Sequence, residues 1–207
     1  DRDNVYSAAP LQDLVLNDLD DTVAATYERS LRRLADAGIA VAALRVPELN
    51  ELPSINAKGG LAAAEAYAWH RELLEKKGNQ YDPRVRDRIA NGARQSAADY
   101  MDVLAARRRL IAAARARLAG FDAFVLPSVA IVPPPIDSFA SDDDYVRTNL
   151  LCLRNTMVGN FLDACAISLP AQARGEAPVG LMLQAPAGHD RALFSIALTV
   201  EQVLAGA

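Results

Sequence analysis

Lysine is scarce in this chain. Three lysines, Lys58, Lys76 and Lys77, stand against 19 arginines in 207 residues, an imbalance that reads as genomic bias before function. Histidine occurs twice, at His70 and His189, and cysteine twice, at Cys152 and Cys165. So few soft ligands make no metal cluster, and two cysteines in apolar surroundings make no disulfide framework. They read as small buried hydrophobes of a reducing compartment, which sets a cytoplasmic expectation. No uncharged apolar run approaches the roughly 18 residues that a membrane span needs. The opening DRDNVYSAAP is acidic and polar, and reads as no signal peptide. It also has no initiator Met, which sets the expectation of a processed or excised chain. No two serines are adjacent, and no G-x-S-x-G elbow exists for either histidine to serve.

Net charge is also small, at −4, which gives no reason to expect nucleic acid or an anionic membrane surface. Nine arginines fall between Arg84 and Arg117, but Asp87, Asp99 and Asp102 interleave with them. The aromatic spacing that stacks bases is missing there. The acidic run Asp142-Asp143-Asp144 suits a helix start better than a ligand set. No cofactor motif is present. What remains is a globular composition, 51% hydrophobic and 23% charged, long enough to bury a core. The length suits one large domain or two small ones. Without a repeat, a low-complexity segment or a clear boundary, residues 1–207 are expected to form a single domain.

Taken in order, the chain alternates helix and strand signals. Asp1 to Asn17 has no clear period. Asp20 or Asp21 caps a helix to about Ala37 with the stripe Val23, Tyr27, Leu31, Leu34, and Gly38 closes it. Ile39 to Val46 reads as a strand. Helices follow over Gly60 to Lys77, about Arg84 to Ala90, and about Ser96 to Leu118. Phe121 to Ser128 is a strand leading into a Pro-rich loop over a pocket. Asn149 begins a helix, and the short apolar runs Cys165–Leu169 and Val179–Leu183 read as buried strands. Asp190 is placed to cap a closing helix. The fold class is therefore α/β: about four strands of a mixed sheet flanked by helices.

Two motif strings are specific in their order. The first runs Glu65-Ala66-Tyr67, His70-Arg71, Tyr81-Asp-Pro-Arg-Val85-Arg86-Asp-Arg88, Arg107 to Arg109, then Asp122-Ala-Phe-Val-Leu-Pro127-Ser128. The second runs Asn160-Phe-Leu-Asp-Ala-Cys-Ala-Ile-Ser168-Leu-Pro170, then Pro178-Val-Gly-Leu-Met-Leu, then Glu201. Together they resemble the C-terminal half of the amidase signature family, from about Asp20 onward. Two departures stand out. Asp163-Ala164-Cys165 replaces the family's usual Gly-Leu-Pro, and Met182 replaces its usual Gln.

The resemblance implies an amidohydrolase that cleaves carbon–nitrogen amide bonds. Such enzymes use a Ser nucleophile whose proton is relayed by a second Ser and a Lys, beside backbone N–H groups. Those groups sit in a Gly/Ser-rich signature, and nothing like it lies in this sequence. The expectation is thus a C-terminal, pocket-forming part with no catalytic residue, inactive alone, whose partner is a small-molecule amide held with the missing N-terminal half. A non-catalytic binding or assembly subunit, or part of a tRNA-dependent amidotransferase, stands as the alternative, and a homo-oligomer is left open. Thr156 and Asn160 share a helix face one turn apart, with Arg154 and Asn155 just before them; a cap or surface face explains them equally. The resemblance places such a T-x-x-x-N pair near the substrate cavity. It makes Ser128 and the loop after Pro127 another wall, and Tyr145 a closing residue. Cys165, inside an apolar strand, would hold a desolvated thiol with raised pKa, a poor nucleophile.

Overall fold

The computed structural model describes residues 6–139 and 141–206. Asp1 to Val5, the first half of the opening DRDNVYSAAP, lie outside the described residues. In chain order the regular elements are β1 (Ser7–Pro10), α1 (Asp21–Asp36), β2 (Ala40–Val41), α2 (Leu52–Ile55), α3 (Gly60–Lys77), α4 (Pro83–Ala90), α5 (Ala97–Leu118), β3 (Ala123–Pro127), α6 (Asp142–Leu162), β4 (Ala164–Pro170), β5 (Gly180–Pro186) and α7 (Asp190–Ala205). By backbone proximity they divide into two compact units, residues 50–110 and the remainder.

The larger unit carries a five-stranded mixed sheet in the order β2-β1-β3-β5-β4. β1 pairs in parallel with β2 and β3, whereas β5 runs antiparallel to both β3 and β4. Alternation along the strands sorts side chains to the two faces. Ala123 and Val125 of β3 join Leu181, Leu183 and Ala185 of β5 on one face. There α1 brings Tyr27 and Leu34, and α7 brings Leu193, Ile196, Ala197 and Val200. The opposite face carries Phe124, which lines a small cavity together with Leu118 of α5 and Leu162 of α6. It also carries Gln184, whose side-chain nitrogen would stand 2.8 Å from a Cβ at Gly159. Only a residue without a side chain lets α6 approach that closely.

Local sequence explains most of the boundaries. Asp20 caps α1 by accepting from the Thr22 N–H at 2.7 Å, and Gly38 follows the helix at φ +85°. Ser141 caps α6 by accepting from the Asp144 N–H. At the other end of α6, Asp163 takes the left-handed conformation, φ +56°, that closes the helix. An Asp tolerates that region where most side chains do not.

Four sequence readings shift. β1 is an additional strand, four residues of small side chains with no β-branched signal. The Ile39–Val46 run yields regular strand only at Ala40–Val41, though Leu44 still bridges to Leu11. β4 is an edge strand with alternating exposure, not a buried one. Asp190 is the first residue of α7, and His189 holds the cap position without a side-chain bond.

The smaller unit is helical. Asp82 caps α4 by accepting from the N–H groups of Arg84 and Val85. Asp99 accepts from both the Ser96 backbone and hydroxyl, which fixes the start of α5. Gln95 donates to the carbonyls of Lys58 and Gly60, tying the start of α3 to the same corner.

Candidate functional site

At the end of β3 the chain leaves the sheet at Ser128 and enters a loop punctuated by Pro133, Pro134 and Pro135. Proline fixes the backbone as extended, so the loop stands away from the sheet and leaves a cavity beneath it. That cavity measures about 550 Å³. Its walls are Ser128, Val129 and residues 131–134 of the loop, Val23 of α1, Cys152 of α6, residues 168–170 of β4, and Gln172 with residues 178–180 leading into β5. The volume lies in the range of small-molecule pockets.

Two hydroxyls meet in this cavity. Ser128 Oγ and Ser168 Oγ stand 2.5 Å apart, a hydrogen bond between adjacent walls. Their meeting depends on Gly180. A Cβ there would stand 2.5 Å from both oxygens, so any side chain would force the pair apart. The register enforces the arrangement: Ser128 donates its N–H to the Gly180 carbonyl at 2.8 Å, while Pro170 on β4 pairs with Gly180.

Behind this wall lies a buried polar clamp. Asn155 is fully buried on α6 and donates to the carbonyls of Pro127 at 2.8 Å and Val15 at 3.2 Å. Its own oxygen accepts from Arg154 Nε at 3.0 Å, and Arg154 also donates to the Val15 carbonyl. Burial lowers the Arg154 pKa, and the nearby Asp18 carboxylate opposes that shift. The clamp pins the residue preceding Ser128 to α6.

Of the six residues singled out from sequence, Ser128 lines the cavity. Arg154 and Asn155 act one layer behind it. The Thr156 hydroxyl donates to the Leu153 carbonyl within its own helix at 3.0 Å, and Asn160, one turn on, is exposed. Tyr145 sits in the first turns of α6, edge-on to Phe139 with ring centres 5.6 Å apart. None of these five lines the cavity. Sequence reasoning passed over Ser168 and Gly180 as site residues. The signal was present, since both lie inside the motif strings, but nothing local says that two serines 40 residues apart meet.

The remaining reactive groups lie elsewhere. All three lysines fall in the smaller unit, where Lys58 pairs with Asp99 at 2.7 Å and Lys76 with Glu72. His70 Nδ1 hydrogen-bonds the Tyr81 hydroxyl at 2.7 Å. His189 Nδ1 donates to the Pro186 carbonyl at 3.1 Å. The Cys165 thiol donates to the carbonyls of Ala185 and Pro186. Burial raises its pKa, and the Asp190 carboxylate adds to the effect. Among the described residues no group of three or more His, Cys, Asp or Glu could hold a metal ion. Among them, too, no helix is long and apolar enough to cross a membrane.

Comparison with known proteins agrees with this architecture. The family model for Amidase matches residues 4–194. A 2-amino-5-chloromuconic acid deaminase from Comamonas testosteroni is 31% identical over 189 residues, covering 91% of this chain and 41% of that protein. A crystal structure of an amidase superposes with a TM-score of 0.73 at 23% identity, over 98% of this chain and 44% of the other. The Kluyveromyces lactis urea amidolyase superposes at 0.84 with 20% identity, over 97% of this chain and 12% of that one. At these identities the superpositions speak for the fold. The chain spans less than half the length of each of these proteins.

Proposed function

Because the chain belongs to the amidase family, we propose that it is the C-terminal, substrate-pocket-forming part of an amidohydrolase that cleaves carbon–nitrogen amide bonds. In this reading it holds a small-molecule amide while the nucleophile and its proton relay come from polypeptide outside these 207 residues. The observation that carries it is a pocket with two hydroxyls and no base. A serine hydroxyl attacks a carbonyl only when a neighbouring base removes its proton. No lysine, histidine or carboxylate lines the cavity, so the Ser128–Ser168 pair can bind but is not activated. The resemblance to a deaminase supports C–N bond chemistry as the reaction class. Free thiols at Cys152 and Cys165 fit work in a reducing compartment such as the cytoplasm.

Geometry suggests how the chain contributes. Binding energy spent on holding the acyl group lets an external nucleophile approach an already oriented carbonyl. The Asn155 clamp keeps that wall rigid, which such orientation requires. The test is ammonia release from primary amides by the complete gene product, with residues 1–207 as the control. Release by the complete product alone is expected. No release by the complete product would overturn the amidohydrolase reading, and release by residues 1–207 would overturn the assignment of a pocket without a nucleophile.

A further inference from the structure

The link between β4 and β5 forms one side of the cavity under the proline loop. Gln172 and Pro178, near its two ends, both line that space. The Ala171 N–H reaches the Val179 carbonyl at 2.9 Å, and the Gln172 side-chain oxygen accepts from the Val179 N–H at 3.2 Å. Beyond these two bonds the link leaves the sheet.

Its tip is closed on itself. Glu176 donates its N–H to the Ala173 carbonyl at 3.1 Å, and its carboxylate accepts from the Ala173 N–H at 2.8 Å. Gly175 supplies the left-handed residue of this turn, φ +88°. A Cβ there would meet nothing within 4 Å, so the tip stands clear of the rest of the molecule. Residues 173–178 are all exposed, and none is Val, Leu, Ile, Met or aromatic. Burial of apolar side chains therefore does not hold the tip down.

Among the described residues, one side-chain bond ties the tip to another element. Arg29 of α1 donates to the Glu176 carboxylate at 2.7 Å, and the same guanidinium nitrogen donates to Thr26 Oγ1 at 3.3 Å. The Ala173 N–H, and after it Arg29, hold the Glu176 carboxyl below its ordinary value, so the pair is charged at neutral pH. α1 also carries Val23, which lines the cavity. A turn that is rigid within itself and tied outside itself at one point moves as a body. The two side chains of the tie are 38% and 39% exposed, so water and salt compete for it.

We propose that residues 172–178 form a hinged flap on the cavity, latched closed by the Arg29–Glu176 ion pair, so that the ionic surroundings of that pair set access to the interior. The flap governs entry whatever the ligand is, and does not rest on the amidohydrolase reading.

Cys152 reports on the interior, because it lines the cavity whereas Cys165 lies on β4 outside the lining. The 207-residue chain is labelled with fluorescein maleimide, a bulky thiol reagent, and the rate at each cysteine is followed by peptide mass spectrometry. Glu176→Gln removes the charge but keeps an acceptor for the Ala173 N–H. It is expected to speed Cys152 labelling by about two- to fivefold, the range for loss of one solvent-accessible ion pair. Arg29→Met is expected to do the same. The double variant should be no faster than either single one, because both break one interaction. Raising KCl from about 50 mM to about 500 mM should speed Cys152 labelling in the parent chain but not in Glu176→Gln. Cys165 labelling is expected to stay unchanged throughout.

Unchanged Cys152 labelling in either single variant would overturn the proposal. So would equal acceleration at Cys165, which would mean a loosened sheet edge and not an opened flap. Effects that add in the double variant would overturn the latch, because the two residues would then act separately. A salt response that is absent from the parent chain, or that persists in Glu176→Gln, would overturn it as well. No turnover is involved, so the outcome is separate from the ammonia-release test.

Discussion

Asn155 does more for the site than its distance from the cavity suggests. Two backbone carbonyls depend on its side-chain amide, and that amide is fully buried. Asn155→Ala would leave the Pro127 carbonyl without this donor, at a cost of about 1–3 kcal/mol in urea unfolding. Tyr27→Phe provides the contrast. The Tyr27 hydroxyl donates to the Val125 carbonyl, but Leu11 N–H also reaches that carbonyl, so the loss should be nearer 1 kcal/mol. Gly180→Ala would drive a methyl group between the two serine hydroxyls and should cost about 1–3 kcal/mol, typical of overpacking. If Gly180→Ala unfolds at the same denaturant concentration as the parent chain, the close approach is not as described. At this scale the sequence was readable where one residue decides. Asp20 and Ser141 are legible caps, and Asp163 is a legible departure from the resemblance, standing where a left-handed residue is needed. Asn155 was singled out only as the neighbour of Thr156, because nothing local reveals two carbonyl partners distant in sequence.

Among the elements, α3 and the short 3-10 turn Asn91–Arg94 touch most closely. A Cβ at Gly92 would stand 2.1 Å from the Ala63 carbonyl oxygen and 2.7 Å from the Tyr67 Cβ. Both obstacles are rigid, so Gly92→Ala should expose the helices of residues 50–110 to hydrogen exchange and proteolysis. Unchanged protection there would contradict the contact. The start of α5 carries a pH signature. Lys58, first, and the Ser96 donors hold Asp99 down at about 2, below the ordinary carboxylate value near 4. A lowered folded-state value means a contribution present above about pH 4 and lost as pH falls towards 2. Carboxylate titration by NMR should find Asp99 low in the parent chain and raised in Lys58→Met. Legibility at this scale follows length. Long helices and the apolar strands β3 and β5 were readable from period and composition. β1 was not, because Ser-Ala-Ala-Pro has no strand propensity and is recruited by pairing with its neighbours. The exposure of β4 depends on its place at the sheet edge, which no local pattern states.

For the whole molecule, the motif strings, the family match and the sheet topology agree that this is an amidase-family α/β fold. Function is carried by sites and not by the fold, and what these residues build is a pocket whose described lining holds two serine hydroxyls and no Asp, Glu, Lys, Arg or His. The sequence set the expectation that the Gly/Ser-rich signature is missing, from no adjacent serines and lysines only at 58, 76 and 77. It could not show that Ser128 and Ser168 would meet, since a contact across 40 residues is created by the β3–β5–β4 register. The most direct measurement is covalent labelling of the complete gene product with an alkyl fluorophosphonate, which modifies activated serines. The modified residue is then located by mass spectrometry. The account predicts a labelled serine outside these 207 residues, with Ser128 and Ser168 unmodified. A label on Ser128 or Ser168 would contradict it, because the pair would then be the nucleophile and not a binding group.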